Sequence, residues 1–429
     1  MRTRAGWLAL VMTGGLALLP ASARAQTGGG GDLDYSRAMP VIPLPIYHDR
    51  PESGGLYVFA EFTMVRQTRN LGNQLVAKRG FVDVDGSVQA GLGGTFVVPP
   101  GGGPPVFVPG PAGPPGTFLG SGVQALNVSD LNTSQLTYAP GMILGLGWRF
   151  ADASALEFRW KQTVSARYNV GADIIANNFA VGPALIDTFL FSPVFNFPSN
   201  YAGEAQELAL GNPGATYGIW NAAASMNIEF MQRFTQQDLT YRVPVRQDDM
   251  SRINVTVGER FAWIWERFLW RTVSQDFLGR SAANDVAIFA NIVSNRMYGP
   301  TLGCEYELWL GRAFAVTVHV DGAGYLDVVK ERAQFALADR TTEAKRQVVE
   351  YTFAPALNGE LHLDWFPIEG IQVRVGWNSV AFFNTVNAPN PLPYTPDGTG
   401  IDFGNLNGHW QRKAIRYLDG IDVGLAITF

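Results

Sequence analysis

Four residues offer the sharpest chemistry in the chain: His319 with Asp321, and His362 with Asp364, each pair two positions apart. Residues i and i+2 of a strand share a face, so each spacing sets an imidazole beside a carboxylate. Such a dyad can activate water or hold a metal ion. The rest of the sequence offers no nucleophile motif, no zinc-type histidine spacing and no phosphate-binding loop. The dyads therefore read as parts of a buried polar network, and no catalytic group, cofactor or metal is expected.

The segments that carry these residues repeat one pattern, apolar on one face and polar on the other. Leu56, Val58, Ala60, Phe62 and Met64 alternate with Tyr57, Phe59, Glu61 and Thr63. Met142 to Phe150 and Leu156 to Trp160 follow, joined by a tight turn at 151–154, with Glu157, Arg159 and Lys161 on the polar face. Trp220 to Phe230 sets Met226 and Ile228 against Glu229, and Ile253 to Trp263 is opposed by Arg260. Leu302 to Leu310 backs Glu305 and Glu307, Phe314 to Val320 backs the first dyad, and Tyr351 to Trp365 backs Glu360 and the second dyad. Ile371 to Trp377 opposes Arg374, and the last nine residues set Ile421, Val423, Leu425, Ile427 and Phe429 against Asp422. That makes about ten strands, with room for two more in 171–213 or 282–297.

Their connections sort into two kinds. Long segments at about 68–134, 171–213, 274–284, 330–346 and 387–408 alternate with four short turns, and both ends of the series fall on the short-turn side. The segment 68–134 is rich in proline and glycine, so it is expected to be a mobile loop without a packed core of its own.

Arg2 and Arg4, the apolar run from Gly6 to Leu19, and Ala23-Arg24-Ala25 predict a secretory signal peptide over 1–25. The Gly/Pro-rich segment 26–53 is expected to be an extended periplasmic leader, and 54–429 the strand-bearing domain. Loss of 1–25 removes three arginines and no acid from a chain whose net charge is already −5, so no nucleic-acid partner is expected. The single cysteine, Cys304, excludes an internal disulfide. With 48 glycines, 27 phenylalanines, 11 tryptophans and only 16% charged residues, the composition suits strands with one apolar and one polar face.

In signal peptide, alternation of turns and loops, and terminal phenylalanine, the chain resembles the porin-like, pore-forming group of Gram-negative outer-membrane β-barrels. The resemblance implies an all-β fold, a single antiparallel up-and-down barrel with short periplasmic turns and long extracellular loops. It also implies that Ile421, Val423, Leu425, Ile427 and Phe429 are an assembly signal read by the barrel-assembly machinery, with outer-membrane lipid against the apolar faces. Glu61, Glu157, Arg159, Lys161, Glu229, Arg260, Glu305, Glu307, His319, Asp321, Glu360, His362, Asp364, Arg374 and Asp422 would then line the lumen. Acids outnumber bases there, so an open lumen would favour cations weakly. Ten-stranded outer-membrane proteases use acid and histidine residues at the extracellular rim, whereas both dyads count nearer the periplasmic turns. About eight strands leave an interior filled by side chains and 16–18 leave a channel, so ten predict a narrow or blocked passage. The expected function is a narrow pore for ions or small solutes, the alternative a closed barrel with a structural or adhesive role through its surface loops.

Overall fold

The computed structural model describes residues 55–68, 71–133, 138–174, 187–194, 219–248, 250–275, 280–310, 313–340, 342–368, 370–395, 397, 400–406 and 409–429; the expected signal peptide and leader lie outside them. Ten long strands form one antiparallel ring. They are β1 (Gly55–Gln67), β2 (Ala139–Arg149), β3 (Ala155–Thr163), β4 (Ser225–Gln247), β5 (Ser251–Val273), β6 (Val286–Trp309), β7 (Phe314–Leu337), β8 (Glu343–Ile368), β9 (Ile371–Asn390) and β10 (His409–Thr428). The line of β3 breaks at Val164 and Ser165 and resumes as Ala166–Asp173, and β4 pairs with both pieces. β10 pairs with β1 from Tyr57↔Thr428 to Gln67↔Leu418, which closes the ring. Closure leaves the membrane half no unpaired edge, which is what backbone N–H and C=O groups surrounded by hydrocarbon require.

Around the turn-side half, the outward side chains are mostly apolar and exposed, with Glu259 on β5 an exposed exception. Phe62, Leu144, Leu146, Phe158, Val257, Leu302, Val320, Leu361, Val375 and Val423 belong to this belt. Trp148, Phe150, Trp365 and Phe429 ring its lower margin. So large an exposed apolar surface on a sheet closed to itself is a lipid-facing surface.

About 9–11 residues of a tilted strand cross a bilayer, yet β4 to β8 run to 23–26 residues. These strands therefore stand well above the membrane, and three expectations change. The charged loop placed at 330–346 is mostly strand, because β7 continues to Leu337 and β8 begins at Glu343. The stretch 282–297 holds no additional strand but the upper half of β6. The strand expected from Trp220 to Phe230, with an extension as far as Val245, does run to Gln247, but its crossing lies in that extension, at Leu239, Tyr241, Val243 and Val245, while Met226, Ile228 and Phe230 are buried inside the ring. Alternation alone does not say which face is outward, and here the apolar face packs on protein rather than lipid.

That packing also gives the two flanks of the 68–134 segment a core, which the sequence reading did not expect, while its Pro/Gly-rich middle is exposed. Leu75–Arg79 is the middle strand of a small sheet between Gln124–Asn127 and Leu190–Phe191, and Phe81–Asp83 pairs with Thr117–Leu119. Val76, Leu126, Val128 and Leu131 are buried in one cluster with Trp220, Trp270, Phe289 and Phe335. The segment is too poor in apolar residues to make a core by itself, but the upper barrel supplies one.

Candidate functional site: the filled lumen

Ten strands ~4.8 Å apart and tilted by ~40° enclose a ring about 20 Å across, measured between backbones. In such a ring the strands five apart in order lie opposite each other. Three contacts join opposite strands, one above another, and they define three layers.

The lowest layer is ionic. Arg159 on β3 reaches Glu360 on β8 with one guanidinium nitrogen 2.8 and 2.9 Å from the two carboxylate oxygens. Glu61 lies 3.9 Å from Arg159 and 3.7 Å from Arg374. Lys161 donates to Asn378 at 2.6 Å, and Asn378 donates to Asp422 at 2.6 Å. Arg260 holds Asp321 through two nitrogens at 2.7 and 3.1 Å and also binds Asp238. Glu305 accepts from Asn254 at 2.8 Å, Glu307 from Arg252 at 2.7 Å, and Glu157 from the Tyr57 hydroxyl at 2.8 Å. Most of these charges are paired, which is the condition for burying them, although Glu61 Oε2 and Arg159 Nε and Nη2 are buried without a hydrogen bond.

The first dyad stays together and the second comes apart. His319 Nε2 is 3.8 Å from Asp321, whose oxygens are engaged by Arg260 and Asn358. His362 faces Asp422 at 3.3 Å and Glu360 at 4.0 Å rather than its sequence partner. Asp364 accepts instead from Arg374, Thr317 and Gln372, each at 2.8 Å. Gly376 is required beside His362, because a Cβ there would collide with the imidazole. Glu229 is a correction: it lies on the outer face above the belt, 2.5 Å from Arg267. The other expected lumen residues are on the inner face. Ile421, Val423 and Leu425 face outward along the closing seam with β1.

The middle layer is apolar. Phe234 on β4 and Phe382 on β9 come from opposite walls, and their ring centroids are 6.0 Å apart. Tyr325 on β7 stacks on Phe382 at 6.1 Å. Val65, Ile264, Met297, Ala356 and Leu418 are buried in the same cluster, so eight of the ten strands contribute to it.

The upper layer is crossed by the last hairpin. Pairing of β9 with β8 ends at Phe382↔Ala356, and above it β9 leaves the wall. Val386 exchanges two hydrogen bonds of 3.0 Å with the Asn295 side chain of β6 and packs on Val293 and Val329. Arg416 on β10 binds Glu266 on the opposite strand β5 and donates to the Val386 carbonyl at 2.7 Å. Asn384 and Lys413, at φ 59° and 66°, flank the bend where the register of β9 with β10 shifts. Non-glycine residues in that region are strained, and facing bulges are a way to fold a hairpin sharply. Gln74 straps the hairpin tip from above, exchanging bonds with Leu392 at 3.0 and 3.1 Å.

Sequence reasoning missed Asp238, Arg242, Arg252, Glu266 and Arg416. Continuing the parity of β5 past Trp263 would have turned Glu266 inward, and counting back by twos from Asp422 would have reached Arg416. No comparable signal marks Phe234 and Phe382 as partners.

These features define a class: a lipid-belted antiparallel β-barrel whose lumen is filled. No protein-family model matches the chain, and no curated protein matches it. Among solved structures it is similar to the outer membrane protease OmpT from Escherichia coli, with a TM-score of 0.40 and 9% identity over 87% of this chain and 97% of that one. It is also similar to the CymD monoaromatic hydrocarbon channel, with a TM-score of 0.26 and 11% identity over 87% and 88%. A third likeness, to a FadL homologue from Pseudomonas aeruginosa, has a TM-score of 0.20 and 7% identity over 89% and 92%.

Proposed function

We propose that the chain is an outer-membrane barrel that stands closed, is not an enzyme, and acts through the folded dome it raises outside the bilayer. The observation that carries this reading is the meeting of Phe234 and Phe382 from opposite walls, with ionic and hydrogen-bonded layers below and above it. In this reading outer-membrane lipid covers the belt. The strand from Ile421 to Phe429 is the segment that barrel-assembly machinery would recognise.

A second reading, a narrow pore for ions or small solutes, draws on the bent hairpin. Asn384 and Lys413 form a hinge about which the β9–β10 tip could swing out of the lumen. Planar-bilayer conductance of the refolded chain separates the two, compared with a Glu266→Gln, Arg416→Gln, Asn295→Ala, Gln74→Ala variant that removes the clamps on the tip without stranding a buried charge. Silence from both proteins supports the closed barrel. Discrete steps from the variant alone support the hinged pore, and steps from the unaltered chain overturn the closed reading.

A further inference from the structure

Above Phe382 the wall of the barrel is open on one side. β8 keeps β7 as its neighbour up to Ala336↔Glu343, but its pairing with β9 ends at Phe382↔Ala356, where β9 turns into the lumen. Residues 343–355 are therefore a strand edge with a neighbour on one side only. Asn384 caps its lower end by donating to the Phe353 carbonyl, and near its upper end Arg346 donates through one guanidinium nitrogen to the Gly404 carbonyl. Among the described residues no backbone group reaches this edge from the far side of the gap. Val349, Tyr351 and Phe353 are exposed on the outer face of the stretch, as are Phe383 and Ile415 across the gap. Counted from Ile368 at the lower end of β8, Phe353 stands 15 residues up and Val349 stands 19, beyond the ~9–11 that cross a bilayer. These side chains meet water rather than lipid. An unpaired edge beside exposed apolar residues is a template for another strand.

We propose that this edge pairs with the same edge of a second copy of the chain, carried by a facing membrane. The sequence of the edge complements itself when one copy runs backwards. With Val348 opposite Val348, an antiparallel pair sets Arg346 across from Glu350 twice and Lys345 across from Tyr351 twice. Side chains directly opposite on such a pair have Cβ atoms about 5 Å apart, within reach of an ion pair or of an ammonium over a ring. A parallel pair in register would set Arg346 against Arg346 and Glu350 against Glu350, and like charges placed so are destabilising. The two-fold axis through Val348 also closes the contact, joining two copies and no more. That axis reverses the strand. Barrels in one membrane point the same way, so copies joined through antiparallel β8 edges point in opposite directions, dome to dome between two membranes. The inference rests on the reading of a barrel that acts through its dome, and it names the partner.

The test reconstitutes the full chain in two populations of phosphatidylcholine vesicles that carry different dyes, and counts the particles that show both colours after mixing. The unaltered chain is expected to give about tenfold more such particles than protein-free vesicles, because many weak pairs between two surfaces act together. Glu350→Arg in both populations should return the count to the protein-free level, and so should Arg346→Glu in both. One population of each variant should cluster again, since every reversed charge then meets its opposite, a recovery that a misfolded dome could not give. No clustering by inserted, unaltered barrels overturns the proposal and leaves the edge to an extended segment of another protein. Clustering undiminished by either reversal overturns it as well, as does failure of the mixed variants to recover. A chain that enters no vesicle and shows no heat-dependent gel shift overturns the membrane reading itself, a different result from inserted barrels that stay apart.

Discussion

Strand β7 passes through two regions built with opposite polarity. In the membrane half Val318 and Val320 face out and His319 and Asp321 face in; farther up the same strand Lys330 and Arg332 face out while Ala333 and Phe335 are buried inside. The inward parity never changes, only the kind of residue that occupies it. The reason is an exchange of surroundings. Below, lipid lies outside and the strands enclose polar groups that pair with each other; above, water lies outside and the strands enclose the apolar undersides of loops. The hydrophobic stripe of a strand marks whichever side is shielded from water, and in this barrel that side switches partway up.

Breaking the ionic layer should have the largest effect. Arg159→Ala leaves Glu360 and Glu61 buried without their shared cation, and a loss of about 3–5 kcal/mol is expected, read as the shift of the urea unfolding midpoint in lipid vesicles. A loss below 1 kcal/mol would mean that the lower lumen is more hydrated than the ion pairs imply. The inversion itself is sharpened by one substitution placed twice on the same strand and the same face. Val320→Arg, in the belt, should cost about 2–3 kcal/mol by the same measurement, while Gln334→Arg, above it, should cost roughly nothing. Equal costs would remove the boundary between the regions.

The smallest effect concerns the turn between β2 and β3. Asp152 accepts bonds from the Ser154 N–H at 3.0 Å and its hydroxyl at 2.6 Å, and these hold the carboxyl below its usual range. A depressed folded-state pKa contributes stability above the unfolded value, about 3.9, and that contribution is lost as pH falls through the folded-state value. Asp152→Ala should thus weaken the turn slightly at neutral pH and match the unaltered chain in acid. Amide exchange at Ser154 is the readout, and an equal difference at both pH values would discount the turn.

Much of the lower region was legible in sequence because, Glu259 on β5 apart, it obeys one rule along the strands: alternate residues, lipid outside, short turns below. Glu61, Arg159, Glu360 and Asp422 could be turned inward by parity alone. Glu229 could not, since it lies where the apolar face of β4 is the inner one, and Met226 and Ile228 look the same whether lipid or a plug covers them. Asp364 shows a second limit, because adjacency along a strand suggested His362 as its partner while Arg374, Thr317 and Gln372 surround it in space.

By itself the sequence determined the strand type, the sense of each face in the membrane half, the ring of about ten strands and the side on which the turns lie. These depend on the period-two geometry of a strand and on its nearest neighbours. Only the tertiary structure decided what fills the ring. Arg159 with Glu360, Phe234 with Phe382, and Glu266 with Arg416 meet because closure brings strands five apart to face each other across the lumen. The separations along the chain range from 148 to 201 residues, and no local pattern records which side chain will be waiting on the far wall.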